Sequence, residues 1–358
     1  IMFPNLSFLS RPRKARPLEL MVTLWPSFSH FSKFANSSSL SGIRLNSAMI
    51  TNPELAVELD RLPKLGKTQP LWFDAKGRQL RVTWVDEDNH DHLDIRLNHR
   101  IDVSTPTLVA FKAGQDCAQL VRLEEGGQRL IFSGGPACLV KPGESIHFPK
   151  ATYDVISPTF TEVEMQKIDQ VRKAGFRKYF LSYVESERDI DEFQELVGRH
   201  SEIMLKIENQ RGLDFVANKF KKRDNLTLVA ARGDLYVEVH RPHQILAAQK
   251  LIIEKDPEAL VGSRLMLSVV NQLKNDKLIK AIKVVRADRS IDPDQTIERA
   301  LLTAINRDFP SCSDFCELAY LYDIGYRRMM LCDELCIYED LLDMAVGAFN
   351  AFRSNYCN

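Results

Sequence analysis

No apolar run in these 358 residues approaches the ~18 needed to cross a bilayer as a helix, so a helical membrane protein is set aside. Neither charge is in excess: 48 Lys and Arg balance 48 Asp and Glu. Without surplus cations to neutralise phosphates, nucleic acid is not expected as the main partner. The seven cysteines form no evident disulfide framework, and in a chain of this length they read as reduced, cytoplasmic thiols. Two CxxxC pairs, Cys312/Cys316 and Cys332/Cys336, lack the closer CxxC knuckle of structural zinc. They read instead as buried helix and loop-edge residues. Residues 1–17 contain no acid and carry no pattern that specifies a fold; they are treated as an N-terminal extension.

At 44% hydrophobic and 27% charged, the composition is that of a globular protein with length for one large domain and an insert. From about residue 160 short apolar runs alternate with amphipathic stretches. Phe176–Val184, Glu202–Ile207, Leu226–Ala231, Leu260–Ser263 and Arg328–Leu331 read as strands. Glu187–His200, Gly212–Lys221, His243–Glu254 and Tyr338–Phe352 read as helices between or after them. Leu20–Leu24, Gly42–Leu45 and Leu71–Phe73 add three strands upstream. Eight strands in strand–helix alternation predict an α/β fold, a (β/α)8 TIM barrel, with its site at the C-terminal strand ends. Residues 82–150 are rich in β-branched residues and glycine turns and predict a small all-β insert after the third strand. The barrel is then 18–81 and 151–358. A charged helical insert is expected over Lys274–Phe309.

Two short motifs carry the chemistry: Leu205-Lys206-Ile207-Glu208-Asn209 and Ala231-Arg232-Gly233-Asp234-Leu235. Each sets an acid where a strand ends. Two carboxylates on neighbouring parallel strands can hold magnesium, and Lys206 shares the face of Glu208. A divalent cation beside a lysine suits phosphate or an enolate. His90-Asp91-His92 lies in an acidic loop and reads as a solvated turn. His240 and His243 read as helix-start or subunit-contact residues, and Met329 and Met330 as barrel packing.

In order along the chain, these segments resemble the pyruvate kinase family. Val22-Thr23-Leu24-Trp25-Pro26-Ser27 is similar to the first barrel strand, Arg44-Leu45-Asn46 to the second, and Asp74-Ala75-Lys76-Gly77-Arg78-Gln79-Leu80-Arg81 to the third. The Lys206 and Asp234 motifs match the fifth and sixth almost letter for letter. Gly262-Ser263-Arg264-Leu265-Met266 and Met329-Met330-Leu331-Cys332-Asp333-Glu334 match the last two more loosely.

The resemblance implies a phosphoenolpyruvate/pyruvate site with ADP or ATP as second substrate. Glu208 and Asp234 would hold Mg (or Mn), and Lys206 would offset phosphoryl charge. Arg44 and Arg81 would clamp phosphate. Gly233 and Asp234 would offer helix N-terminal N–H groups to substrate, with Lys206 and Ser263 beside them, and the Ser263 hydroxyl would serve a proton relay. Asn46 and Asp74 would place a monovalent cation such as K. A cytoplasmic homo-oligomer is expected.

Departures from the pattern are Ala48 for serine, Ala75 for threonine, Met49 for histidine, and Gln79 for a residue that is usually glutamate. The insert reads as shortened, and the chain stops after the eighth-strand helix, where the family continues into a regulatory domain. Two rival readings stand beside a kinase: a metal-dependent pyruvate-enolate C–C lyase or aldolase, and a non-catalytic ligand-binding barrel.

Overall fold

The computed structural model describes residues 16–65, 69–86, 92–136, 139–239, 242–269 and 310–357. Residues 1–15, His90, Asp91, His240, Arg241 and the expected helical stretch 274–309 lie outside the described residues.

In chain order the strands are β1 (Glu19–Thr23), β2 (Gly42–Asn46), β3 (Leu71–Ala75), β4 (Val82–Val85), β5 (Asp94–Leu97), β6 (Ile101–Val103), β7 (Thr107–Phe111), β8 (Asp116–Glu124), β9 (Arg129–Ser133), β10 (Tyr153–Val155), β11 (Lys178–Leu181), β12 (Glu202–Ile207), β13 (Leu226–Ala231), β14 (Leu260–Gly262) and β15 (Arg328–Met330). The helices are α1 (Phe31–Ala35), α2 (Asn52–Arg61), α3 (Glu162–Lys173), α4 (Glu187–Val197), α5 (Gln210–Asn218), α6 (Arg232–Glu238), α7 (Ile245–Lys255), α8 (Cys312–Asp323), α9 (Asp333–Cys336) and α10 (Glu339–Tyr356).

Eight strands close into a parallel barrel in the order β1-β15-β14-β13-β12-β11-β3-β2, the (β/α)8 TIM barrel expected. Period-2 alternation divides each strand between two environments. Leu20, Val22, Ile43, Phe73, Leu205 and Ile207 pack outward in the large core shared with the helices. Met21, Trp72, Phe180, Met204, Val229, Leu260 and Met330 form a separate apolar cluster that fills the barrel interior. Gly42 makes room for it: a Cβ there would lie 3.0 Å from the Met21 Cε and 3.2 Å from the Trp72 Nε1.

The strand over 176–184 is shorter than expected. Phe176 closes the turn after α3, its N–H donating to the Val171 carbonyl. Tyr183 leaves extended geometry with φ +53°. Helix starts follow local chemistry. Thr51 and Glu54 form a capping box on α2, and Ser186 and Asp189 form another on α4.

Between β3 and α3 the chain forms a five-stranded antiparallel sheet in the order β4-β5-β9-β8-β7, with β10 paired to β6 beside it. Its own core includes Val82, Ile95, Leu97, Phe111, Leu120, Leu130 and Phe132. This β-rich segment returns to the barrel mouth through Arg81, which bridges Ser145 in antiparallel fashion, and through His147, which bridges Ala110.

Candidate active site

The barrel's polar end is built from the same alternation as its floor. On β12, Met204 faces the interior floor while Lys206 and then Glu208 rise above it. Ile207 between them is fully buried in the outer core. Asn209 then caps α5, accepting the Gly212 N–H at 2.9 Å. The motif thus does four jobs in four residues: cation, wall, anion and cap. On β3 the same step places Trp72 in the floor and Asp74 above it.

Asp74 is the hub of one half. Its Oδ2 accepts from Arg44 Nε at 2.7 Å and Lys76 Nζ at 2.8 Å, and Lys206 Nζ lies 3.7 Å away. Burial alone would raise this carboxyl. The Lys206, Lys76 and Arg44 cations overcome that and hold it well below the ordinary carboxylate range. Lys76 itself is pushed down to about 7 by burial, against the pull of Asp74. Arg44 also donates to Thr23 Oγ1 at 3.2 Å and approaches Asp333 at 3.4 Å. Asn46 is held at both ends: its Nδ2 donates to Asp333 Oδ2 at 2.9 Å, and its Oδ1 accepts the Ala48 N–H at 3.2 Å.

Glu208 is the hub of the other half. It is fully buried, and its Oε2 accepts the Tyr183 N–H at 2.7 Å. Its Oε1 lies 2.9 Å from Lys206 Nζ but receives no well-directed hydrogen bond. Lys206 instead directs a bond to Ser182 Oγ at 2.8 Å. Burial raises the Glu208 carboxyl to about 7; the Lys206 charge opposes this, and the facing Asp234 carboxylate reinforces it. For Lys206, burial would lower the ammonium, but Asp74 and then Glu208 raise it overall. Glu208 is the nearer acid, yet Asp74 is the ionised one that Lys206 leans on.

Asp234 stands in the first turn of α6, where β13 passes into the helix without a break. Burial would raise its carboxyl, but His147, the Glu208 contact, Lys206 and Arg81 bring it below the usual value. A Cβ on Gly233 would sit 3.3 Å from the Ser263 Cβ, so glycine lets the α6 start and the β14 end close up. Ser263, Arg264 and Met266 all have positive φ, at +65°, +56° and +53°. Such backbone costs about 1–3 kcal/mol per residue and concentrates at functional sites. Arg232 holds this turn, donating Nε and Nη2 to the Ser263 carbonyl at 3.1 and 3.0 Å and pairing with Glu317 at 2.7 Å.

Around these residues lies a cavity of about 450 Å³. It brings together Arg44, Asn46, Arg81, Lys206, Glu208, Gly233, Asp234 and Ser263. Asp74 lies just beneath, reached through Arg44 and Lys76. Arg81 approaches from the β-rich segment, donating to Gln79 Oε1 at 2.8 Å and to the Gly143 carbonyl. His243 lies in the turn before α7 and does not line the cavity.

Sequence reasoning missed His147. It is fully buried, bonded through Nδ1 to Glu238 at 2.9 Å, with Nε2 3.5 Å from Asp234 Oδ1. Burial would lower the imidazole, but Glu238 and Asp234 raise it above its ordinary value. No local pattern marks it; only the tertiary return of the β segment brings it to Asp234. Lys76 did have a signal, being two residues from Asp74 and therefore on the same side as the strand ends.

A closed parallel barrel with cations and carboxylates gathered at its C-terminal strand ends defines a (β/α)8-barrel protein equipped for a small anionic ligand. Comparison narrows the class. The pyruvate kinase barrel domain model matches residues 139–273. Pyruvate kinase of Debaryomyces hansenii is 31% identical over 219 residues, 53% of this chain and 42% of that protein. Pyruvate kinase of Dictyostelium discoideum is 25% identical over 221 residues, 54% of this chain and 42% of that protein. Pyruvate kinase 1 of Saccharomyces cerevisiae is 31% identical over 105 residues, 28% of this chain and 20% of that protein. The chain therefore spans well under half the length of these relatives. Over residues 139–273 the chain is similar to the pyruvate kinase barrel domain, and these relatives are pyruvate kinases. Among the described residues, no helix is long and apolar enough to cross a membrane.

Proposed function

We propose that this protein is a pyruvate kinase-like phosphotransferase that moves a phosphoryl group between phosphoenolpyruvate and a nucleoside diphosphate with magnesium. The observation that carries the reading is the under-neutralised carboxylate pair beside a buried lysine. Glu208 and Asp234 face one another, and Glu208 Oε1 is buried without a directed donor. The Lys206 ammonium 2.9 Å from this oxygen offsets part of the pair's charge, and a further cation between the two carboxylates would offset the rest. The donor set is all oxygen, as hard divalent cations require. The residues fit the metal: Glu208 and Asp234 would hold it, and the ion would supply positive charge to enolate and phosphate oxygens.

The chain's own residues do the rest. Lys206 is fixed by Ser182 and kept charged by Asp74, so its ammonium is preorganised for phosphoryl charge. Arg44 and Arg81 line the same cavity and would clamp phosphate. The strained turn at Ser263 presents its hydroxyl to the cavity for proton transfer at the enolate carbon.

A monovalent cation does not fit the residues present. Asp74 Oδ2 already accepts from Arg44 and Lys76, and Asn46 already bonds Asp333 and the Ala48 N–H, so the charge a monovalent ion would bring here is in part supplied by the chain's own side chains. We therefore assign potassium no step. The proposal takes the protein to be a cytoplasmic homo-oligomer.

The test is a coupled assay for pyruvate release from phosphoenolpyruvate, ADP and magnesium. Turnover that Glu208→Gln removes supports the kinase reading. Magnesium-dependent phosphoenolpyruvate binding without turnover would move the assignment to an enolate C–C lyase or aldolase on the same site.

A further inference from the structure

The sequence carries two CxxxC motifs, and the structure separates them. Cys332 and Cys336 are buried, Cys336 under the Thr23 N–H, and burial pushes the Cys336 thiol up to about 12. Cys312 and Cys316 are exposed on the first turns of α8, and their sulfurs lie 3.9 Å apart. The difference follows from the helix face. Leu318 and Leu321 bury α8 against the barrel core, with Phe315 and Ala319 beside them, and this leaves 312 and 316 on the outer side.

The turn that holds the two thiols is pinned. Ser311 caps α8, and Asp314 accepts the Ser311 N–H at 2.7 Å and its hydroxyl at 2.9 Å. Ser268, after β14, also donates to Asp314. The backbone that carries the two thiols is therefore fixed. Their spacing does not suit a disulfide: side chains at i and i+4 of a helix have Cβ atoms about 5–6 Å apart, beyond the ~3.5–4.5 Å of a disulfide. It does suit one atom bridging both sulfurs. A pyramidal trivalent centre holds its two sulfurs somewhat closer than 3.9 Å, a distance that small rotations of these two exposed side chains reach. Among the described residues no group of three or more His, Cys, Asp or Glu is placed to hold a metal. The bridging centre must then bring its remaining substituents itself.

We propose that Cys312 and Cys316 form a surface dithiol site for a thiophilic metalloid centre of the trivalent organoarsenical class. Binding makes two As–S bonds and breaks two As–O bonds. The two thiol protons leave with the two oxygens as water, or as one water from an As=O compound, and no oxidation state changes. Contact with Cys312 holds the Cys316 thiol above its usual value, which suits a reaction that consumes two protonated thiols.

The test treats the full chain with phenylarsine oxide and reads intact mass, free thiols and peptide maps. The expected result is one adduct per chain, a loss of two thiols, and a bridge mapped to Cys312 and Cys316. Cys312→Ser and Cys316→Ser should each weaken binding by roughly 100-fold or more, since one anchor forfeits the chelate. Cys117→Ser, another exposed position, should change nothing. An adduct mapped to other cysteines, no adduct, or single-serine variants that bind as tightly as the parent would overturn the proposal.

Discussion

Asp74 and Glu208 are both fully buried, on strands that flank β11, and both lie within 4 Å of the Lys206 ammonium. Their surroundings differ. Asp74 is met by Arg44, Lys76 and Lys206 and is held ionised. Glu208 has one nearby ammonium, a facing carboxylate and an oxygen without a directed donor, and burial carries it to about 7. Three cations converge on Asp74, whereas Glu208 meets Lys206 alone and its partner Asp234 is met by His147. The contrast is the basis for proposing a divalent ion at Glu208 and Asp234 and none at Asp74.

Four changes would break this comparison, and one would refine it. Lys206→Met removes the charge shared by the two halves. Phosphoryl transfer should fall by roughly 10³-fold or more with magnesium binding retained, read by pyruvate release beside metal titration. Asp74→Asn leaves buried cations without their anion and should destabilise the fold by about 3–5 kcal/mol, seen as a lower Tm. An unchanged Tm would mean that Asp74 is not the hub. Glu208→Gln should weaken magnesium binding by at least roughly 100-fold, since even outer-shell losses cost about 10–100-fold.

The pH dependence has a definite sign. The folded Glu208 carboxyl is raised from 4.5 to about 7, so the metal must displace a proton below that value. Magnesium affinity should fall by up to about tenfold per pH unit below about 7. By the same linkage, the metal-free fold loses stability as pH rises from 4.5 to about 7, because the folded state binds the extra proton. A flat affinity profile from pH 5 to 8 would contradict the assignment. The smallest effect is Glu317→Ala. This pair is partly exposed and should contribute no more than about 1 kcal/mol. Its signature is a change in kcat through the Ser263 turn that Arg232 holds.

Much of this site was legible because strand chemistry is local. Alternation on β12 puts Lys206 and Glu208 on one side without knowledge of any neighbour, and the order of eight apolar runs specifies the barrel. Glu202–Ile207 and Leu226–Ala231 were readable to the residue. Burial of the Cys332/Cys336 pair was expected and found, but exposure of Cys312/Cys316 was not, because it depends on which face of α8 meets the barrel. Other features were illegible because they depend on what returns from elsewhere. His147 reaches Asp234 only through the β-rich segment. Asn46 and Asp74 carry the residue types of a monovalent-cation site. Lys76, Arg44 and Asp333 bond to them, and that reach only the folded chain reveals.

The most direct test of the two-halves account is a calorimetric titration of magnesium into the potassium-free protein at pH 7. The account predicts one bound ion per chain with partial proton release, and the same isotherm after potassium is added. Magnesium binding that fails without potassium, or that is absent under both conditions, would contradict it.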